Sequence, residues 1–252
     1  AAIRNWIQDG TLGEVLHFSG RYWCDYGCNP MAPMSWRYKG PMGSGALADL
    51  GSHLTYLSEF LCGGITAVSG GAFATTIKER PVPLGSVVGH GLAAISDRKE
   101  TVENDDYATF TAFFGETRGS LEVSRVAAGY PNGLDFEVFC ENGAASFHQD
   151  TPSQVRLYLN DDHPGTNGYR TVNLGSDHPY VAGGMPIDVS GVGFGQNEGF
   201  TYQARAFLEE VAGISEEESL PRNASFDEGV HNMEILAAVA QSAAGNGKQV
   251  NL

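Results

Sequence analysis

At 252 residues the chain is long enough for one large domain or two small ones, with a substantial core. Thirty acidic against 15 basic residues give a formal charge of -15 with no basic cluster, a poor surface for nucleic acid or an anionic membrane. No run reaches the roughly 18 apolar residues of a membrane span, and the first residues lack a signal peptide's basic-then-apolar layout. Four cysteines, Cys24, Cys28, Cys62 and Cys140, are few for this length and read as reduced thiols of a cytoplasmic protein. Cys24 and Cys28 are not followed by a second pair, so no metal is expected.

Ile3, Trp6 and Ile7 have helical spacing without a preceding cap, which suggests a helix entered from an upstream segment. Residues 14–23 alternate, with Leu16, Phe18, Gly20 and Tyr22 on the more apolar face, and predict a strand. A loop rich in Pro, Gly, Met and aromatics fills residues 26–41 and delivers Trp36 and Arg37 just ahead of the next helix. In that helix, over residues 43–64, Leu47, Leu50, Leu54, Leu57 and Leu61 form one apolar stripe between flanking glycines. Residues 65–76, 107–114, 118–127, 134–140, 144–148 and 155–159 read as strands, and the short turns between successive ones imply antiparallel hairpins. Residues 78–104 read as a long polar loop, and residues 161–196 as an irregular glycine-rich one holding His163 and His178. Two helices follow. Phe200, Ala204, Phe207, Leu208 and Val211 form the stripe of the first, and Ser225 with Glu228 makes a capping box for the second. The expected class is α+β, an open, predominantly antiparallel sheet with helices packed on one face, over a single domain of residues 1–252.

Asp49 and His53 stand four apart near the rim of the apolar stripe, half buried. A carboxylate bonded to one imidazole nitrogen fixes the tautomer and leaves the other nitrogen to take a proton from a hydroxyl. Trp36 and Arg37 are candidate pocket walls, with an aromatic anchor for the loop as the other reading of Trp36.

Gly-Glu-Val-X-His-Phe at 13–18, Ser-Trp-Arg at 35–37 and Gly-X-Gly-Ala-Leu-X-Asp-Leu-Gly-Ser-His-Leu at 43–54 together resemble the C-terminal domain of the Gfo/Idh/MocA oxidoreductases. The resemblance extends through Phe207-Leu208, Asp227 to Gly229 and Ala238 to Ala243 to Val250, so it spans nearly the whole chain. It implies a two-domain dehydrogenase in which His53 is the acid/base at the oxidised hydroxyl, with Asp49 beside it and a Lys from the other domain. Trp36, Arg37 and His178 are assigned to the substrate side. The implied cofactor is NAD or NADP, held mainly by a Rossmann domain. No Gly-X-Gly-X-X-Gly follows a strand here, and Gly191-Val-Gly-Phe-Gly lies in the irregular region, so a Rossmann domain is expected to be missing and the isolated chain inactive.

The sequence thus points to the substrate-side and oligomerisation domain of a sugar, inositol or polyol dehydrogenase, a homo-oligomer (dimer or tetramer) through its sheet face. Two other readings stand beside it. One is a non-catalytic dimerisation scaffold. The other is a metal-dependent isomerase or hydrolase with Asp49 and His53 as ligands, joined by His163 or His178.

Overall fold

The computed structural model describes residues 1–160, 167–175, 178, 195–215 and 217–252. In chain order the elements are α1 (Ala2–Gln8), β1 (Val15–Trp23), a 3-10 turn (Trp36–Tyr38), a π-turn (Leu47–Gly51) running into α2 (Ser52–Cys62), and β2 (Ala67–Ala74). They continue with β3 (Glu79–Pro83), β4 (Ile95–Thr101), β5 (Tyr107–Phe114), β6 (Thr117–Ser124), β7 (Gly133–Cys140), β8 (Gly143–His148), β9 (Gln154–Leu159) and β10 (Arg170–Asn173). Last come α3 (Gln196–Val211), α4 (Phe226–Ala244) and β11 (Val250–Asn251). The chain divides into two compact units, Ala1–His17 with Asp135–Val230, and Phe18–Leu134 with His231–Leu252.

The second unit carries the strand order β1-β6-β5-β2-β11. β5 and β6 form the antiparallel hairpin their short turn predicts, Tyr107 opposite Ser124 and Phe114 opposite Thr117. β1 runs the other way to that expectation. Ser19 Oγ lies 3.4 Å from Ser120 Oγ, Trp23 Nε1 donates to Glu122 Oε1 (3.0 Å), and the Cys24 N–H donates to the Ser124 carbonyl (2.7 Å). Residue numbers rise together on both strands, so β1 and β6 are parallel. The open, predominantly antiparallel sheet expected from the sequence is therefore corrected to a mixed sheet. Hairpin reasoning reads only neighbours in sequence, and the partner of β1 lies across a long crossover that no local turn signal reveals. The parallel pairing has a consequence for function: the chain leaving β1 and the chain leaving β6 emerge at the same edge.

Along the inner face, Phe18, Leu54, Val68, Ala112, Leu121 and Val123 are almost fully buried. α2 packs on β6, with Leu47, Leu50, Leu54 and Leu61 of the predicted stripe all buried. α4 is tied to α2, since Asn232 Nδ2 donates to the Ser52 carbonyl and to Thr55 Oγ1 (3.1 and 2.8 Å). Residues 78–104 are not simply a loop, because β3 and β4 pair antiparallel, Glu79 opposite Thr101.

In the first unit β7, β8, β9 and β10 form an antiparallel meander in that order. α3 departs from the predicted stripe: it buries Tyr202 and Ala206 with Leu220, while Phe200, Phe207, Leu208 and Val211 are exposed. The capping box at the start of α4 forms as its sequence predicts, with the Ser225 N–H on Glu228 Oε2 (2.7 Å) and the Glu228 N–H on Ser225 Oγ (3.2 Å).

The helix that carries the candidate site starts on a buried carboxylate. Asp105 is fully buried and accepts the N–H groups of Gly43 (2.8 Å), Gly45 (3.0 Å) and Leu47 (2.8 Å). These are donors that a helix start leaves without intrahelical partners. Gly45 is required here, because a Cβ at that position would lie 2.1 Å from the Asp105 carbonyl oxygen. Asp105→Ala strands three amides, two of them buried, and the expected loss is about 3 kcal/mol by urea unfolding; a loss below about 1 kcal/mol would mean the carboxylate does not hold this turn.

Candidate active site

The common edge of β1 and β6 is organised by a buried polar cluster. Arg125, one residue past β6, is 1 % exposed, and each of its three guanidinium nitrogens makes a hydrogen bond. Nε donates to Asp106 Oδ1, Nη1 to the Arg37 carbonyl and Nη2 to Asn104 Oδ1, each at 2.8 Å. Asp106 also accepts the N–H groups of Thr76 and Ile77 (2.7 and 2.9 Å). Asn104 Nδ2 reaches the carbonyls of Arg37 and Lys39, both at 3.1 Å. A second buried guanidinium, Arg80, donates to the carbonyls of Asn29 (2.8 Å) and Gly27 (2.6 Å) and stacks on the Tyr38 ring at 3.9 Å, with Arg125 4.7 Å from the same ring. Burial holds the Arg80 guanidinium's pKa below its ordinary value. These groups hold the carbonyls of Gly27, Asn29, Arg37 and Lys39, within the loop of residues 26–41 that the sequence marks as a pocket wall.

On that frame lies a cavity of about 210 Å3 lined by Tyr26, Trp36, Arg37, Ser44, Gly45, Ala48, Asp49 and Arg125. Asp49 belongs to the π-turn, a local widening frequent at functional sites. Tyr26 Oη donates to Asp49 Oδ2 at 2.5 Å, and Arg37 Nη1 lies 3.6 Å from Asp49 Oδ1. Burial, then the Asp49 charge and hydrogen bond, push the Tyr26 phenol far above the ordinary tyrosine range, so it stays a donor. The Trp36 ring stands 75 % exposed, with the Arg37 guanidinium 4.6 Å from its centroid. Arg37 Nε is buried without a hydrogen-bond partner among the described residues. His90, from the turn between β3 and β4, lies against Tyr26 with ring centroids 4.2 Å apart. Burial and the charge of Arg37 lower its pKa.

The structure brings Asp49, Arg37 and Trp36 together as the sequence suggests. His53 is exposed rather than half buried, and its ring lies edge-on to Tyr22 at 5.9 Å. No hydrogen bond joins it to Asp49, whose oxygens face Tyr26 and Arg37. His178 belongs to the first unit, is half buried, and has its pKa pushed down to about 4, chiefly by burial. It does not line the Asp49 cavity. His163 and Gly191 to Gly195, apart from Gly195 itself, lie outside the described residues. Tyr26, His90 and Arg125 were not legible as site residues. The available signal was the run Asn104-Asp105-Asp106 directly ahead of an apolar strand, three polar side chains where a sheet edge has room for few in water.

Other groupings do less. Among the described residues no three His, Cys, Asp or Glu side chains converge as a metal site. None of the four cysteines is in a disulfide, and burial, with Asp49 nearby, pushes the Cys24 thiol up to about 11, the range of an unreactive thiol. In the first unit Ser146 Oγ lies 3.2 Å from His148 Nε2, and His148 Nδ1 lies 3.3 Å from Asp135 Oδ1, the connectivity of a nucleophilic triad. Ser146 is only 1 % exposed and its strand is paired on both sides, so no substrate carbonyl can approach it. No helix among the described residues is long and apolar enough to cross a membrane.

The chain belongs to the GFO/IDH/MocA family, whose C-terminal domain model matches residues 1–146. It is 31 % identical over 247 residues to levoglucosan dehydrogenase of Pseudarthrobacter phenanthrenivorans, covering 97 % of this chain and 61 % of the relative. The solved apo form of levoglucosan dehydrogenase superposes with a TM-score of 0.85 at 29 % identity, over 99 % of this chain and 62 % of that one. A levoglucosan dehydrogenase complex with NADH and levoglucosan gives 0.83 at 28 % identity, over 99 % and 62 %. The chain thus spans about 61 % of the length of the curated relative it matches. The fold class expected from the sequence, an open, predominantly antiparallel sheet without a Rossmann domain, is overturned: the chain carries a large mixed sheet and aligns, over 99 % of its length, with 62 % of the solved levoglucosan dehydrogenase.

Two substitutions separate the frame from the lining. Arg125→Met leaves Asp106 buried without its cation, with an expected cost of about 3 to 5 kcal/mol in urea unfolding. Trp36→Ala, at an exposed ring, is expected to stay within about 0.5 kcal/mol of the parent. Equal losses would mean that the cluster does not carry the loop.

Proposed function

We propose that this chain is the substrate-binding and oligomerisation domain, residues 1–252, of an NAD(P)-dependent dehydrogenase acting on a hydroxyl carbon of a sugar, inositol or related polyol. The observation that carries the reading is the pairing of Asp49 with Tyr26 and Arg37 inside a cavity of about 210 Å3. That volume suits one sugar ring and is too small for a dinucleotide, so the cavity fits a substrate and not the cofactor. Asp49 is neutralised by Arg37 and hydrogen bonded by Tyr26, which leaves dipoles and a near-zero local charge, a match for a neutral polyol. The exposed Trp36 ring offers an apolar face to the C–H face of a sugar.

In this reading Asp49 and Arg37 orient the substrate hydroxyls and Trp36 supports the ring. His53, four residues beyond Asp49 and open to solvent, takes the hydroxyl proton while hydride leaves the same carbon. NAD is the favoured acceptor because the levoglucosan dehydrogenase structure is a complex with NADH; NADP is the alternative. The homo-oligomer, a dimer or tetramer, forms through the outer sheet face, where Tyr107, Thr109, Thr111 and Phe113 of β5 alternate with the buried set. Four cysteines without a disulfide favour the cytoplasm.

The test is oxidation of a panel of anhydrosugars, aldoses and inositols by the protein expressed from its complete reading frame, with NAD+ and with NADP+. His53→Ala is expected to lower kcat by roughly 100-fold or more. Retention of full kcat by that variant would transfer the proton role elsewhere, and no turnover of any polyol by the parent would remove the dehydrogenase reading.

A further inference from the structure

Tyr26 is the shortest polar contact Asp49 makes, and its backbone is clamped on both sides. The Cys24 N–H donates to the Ser124 carbonyl (2.7 Å) and the Ala127 N–H to the Cys24 carbonyl (3.0 Å). The Gly27 N–H donates to the Arg125 carbonyl (2.7 Å), and Arg80 Nη2 holds the Gly27 carbonyl (2.6 Å). Position 27 admits only glycine at this spacing, since a Cβ there would lie 2.6 Å from the Arg125 carbonyl oxygen. Tyr26 therefore sits on backbone held on both sides. Its ring lies 4.2 Å from that of His90, and its Oη donates to Asp49 Oδ2.

Among the described residues Asp49 Oδ1 has only the longer contact with Arg37, at 3.6 Å, and His53 makes no hydrogen bond to the carboxylate. The tighter hold on the carboxylate is thus from Tyr26 on Oδ2, and Asp49, Tyr26, Trp36 and Arg37 all line one cavity.

We propose that Tyr26, braced by His90 from the β3–β4 turn, is the positioning residue for Asp49: it fixes one carboxylate oxygen so that the other is presented to a substrate hydroxyl. This rests on the dehydrogenase reading for its kinetic consequence, but not for the contact itself. The role goes to a phenol held by two backbone clamps and by a histidine from another hairpin, rather than to the imidazole one helical turn further on.

Two measurements test it. In the protein expressed from its complete reading frame, Tyr26→Phe keeps the ring and its packing on His90 while removing the hydroxyl. The expected result is a fall in kcat of roughly 10- to 100-fold, the loss of one hydrogen bond to a charged group, with a smaller change in KM. His90→Ala is expected to give a smaller fall of the same kind. Tyr26→Phe with kcat and KM within twofold of the parent would overturn the proposal. The second measurement needs no turnover. Ultraviolet difference titration of the 252-residue chain should show one tyrosine that resists ionisation, and Asp49→Asn should bring it down towards the ordinary range, because the Asp49 charge and hydrogen bond both hold it up. An unchanged titration in that variant would overturn the contact. If the parent oxidises no polyol while the titration shifts as expected, the dehydrogenase reading fails and the positioning of Asp49 by Tyr26 stands.

Discussion

The structure around the candidate site depends on one arrangement, the burial of Asn104 and Asp106 against Arg125 and of Asp105 against the start of the site helix. Two of these are carboxylates with no exposed surface, and each meets several donors: Asp105 takes three backbone amides, and Asp106 takes Arg125 and two more. Unpaired, either charge would cost several kcal/mol of desolvation. Paired in this way, they convert that cost into geometry, because each oxygen accepts in only one orientation of the loop. The loop at residues 24–45 has little regular structure of its own, and its backbone carbonyls at Gly27, Asn29, Arg37 and Lys39 are held by Arg80, Arg125 and Asn104. A surface loop is ordered here as a buried one, with its polar groups satisfied by side chains instead of water.

This frame explains why the cavity lies where it does. The parallel pairing of β1 with β6 delivers the chain after Trp23 and the chain after Ser124 to one edge, and Asp105 anchors the start of the helix that carries Asp49 at the same place. Tyr26, Arg37, Asp49 and Arg125 come from separate stretches of sequence and meet only because the sheet is mixed. An antiparallel β1 would send its following loop to the opposite end of β6. The topology is therefore part of the site's chemistry, in the sense that it decides which side chains can reach the carboxylate.

Much of the fold was legible. The leucine stripe from Leu47 to Leu61, the β5–β6 hairpin and the Ser225–Glu228 capping box all rest on local spacing, and local spacing survives folding. What failed was non-local or depended on which face a helix turns inward. The direction of β1 could not be read because its partner is far away in sequence. α3 buries Tyr202 and Ala206 instead of the Phe207 stripe, so apolar periodicity marked the helix but not its packed side. In the site, Asp49, Arg37 and Trp36 were legible through the Ser-Trp-Arg and Asp-X-X-X-His segments. The geometry between Asp49 and His53 was not, because an i, i+4 spacing promises a shared face but not a hydrogen bond, and the π-turn and Tyr26 give the carboxylate a different partner. Tyr26, His90 and Arg125 carry no motif. Their roles come from the tertiary contacts alone.

The central claim is that a buried carboxylate, more than the helix's own hydrogen bonding, fixes the start of the site helix. The most direct measurement is amide hydrogen exchange at Gly43, Gly45 and Leu47, whose N–H groups end on Asp105. The account predicts exchange as slow as that of the paired strands β5 and β6, although Gly43 and Gly45 precede the π-turn. Exchange at the rate of an open loop would contradict it, and the cavity would then be a shape the protein visits rather than one it holds.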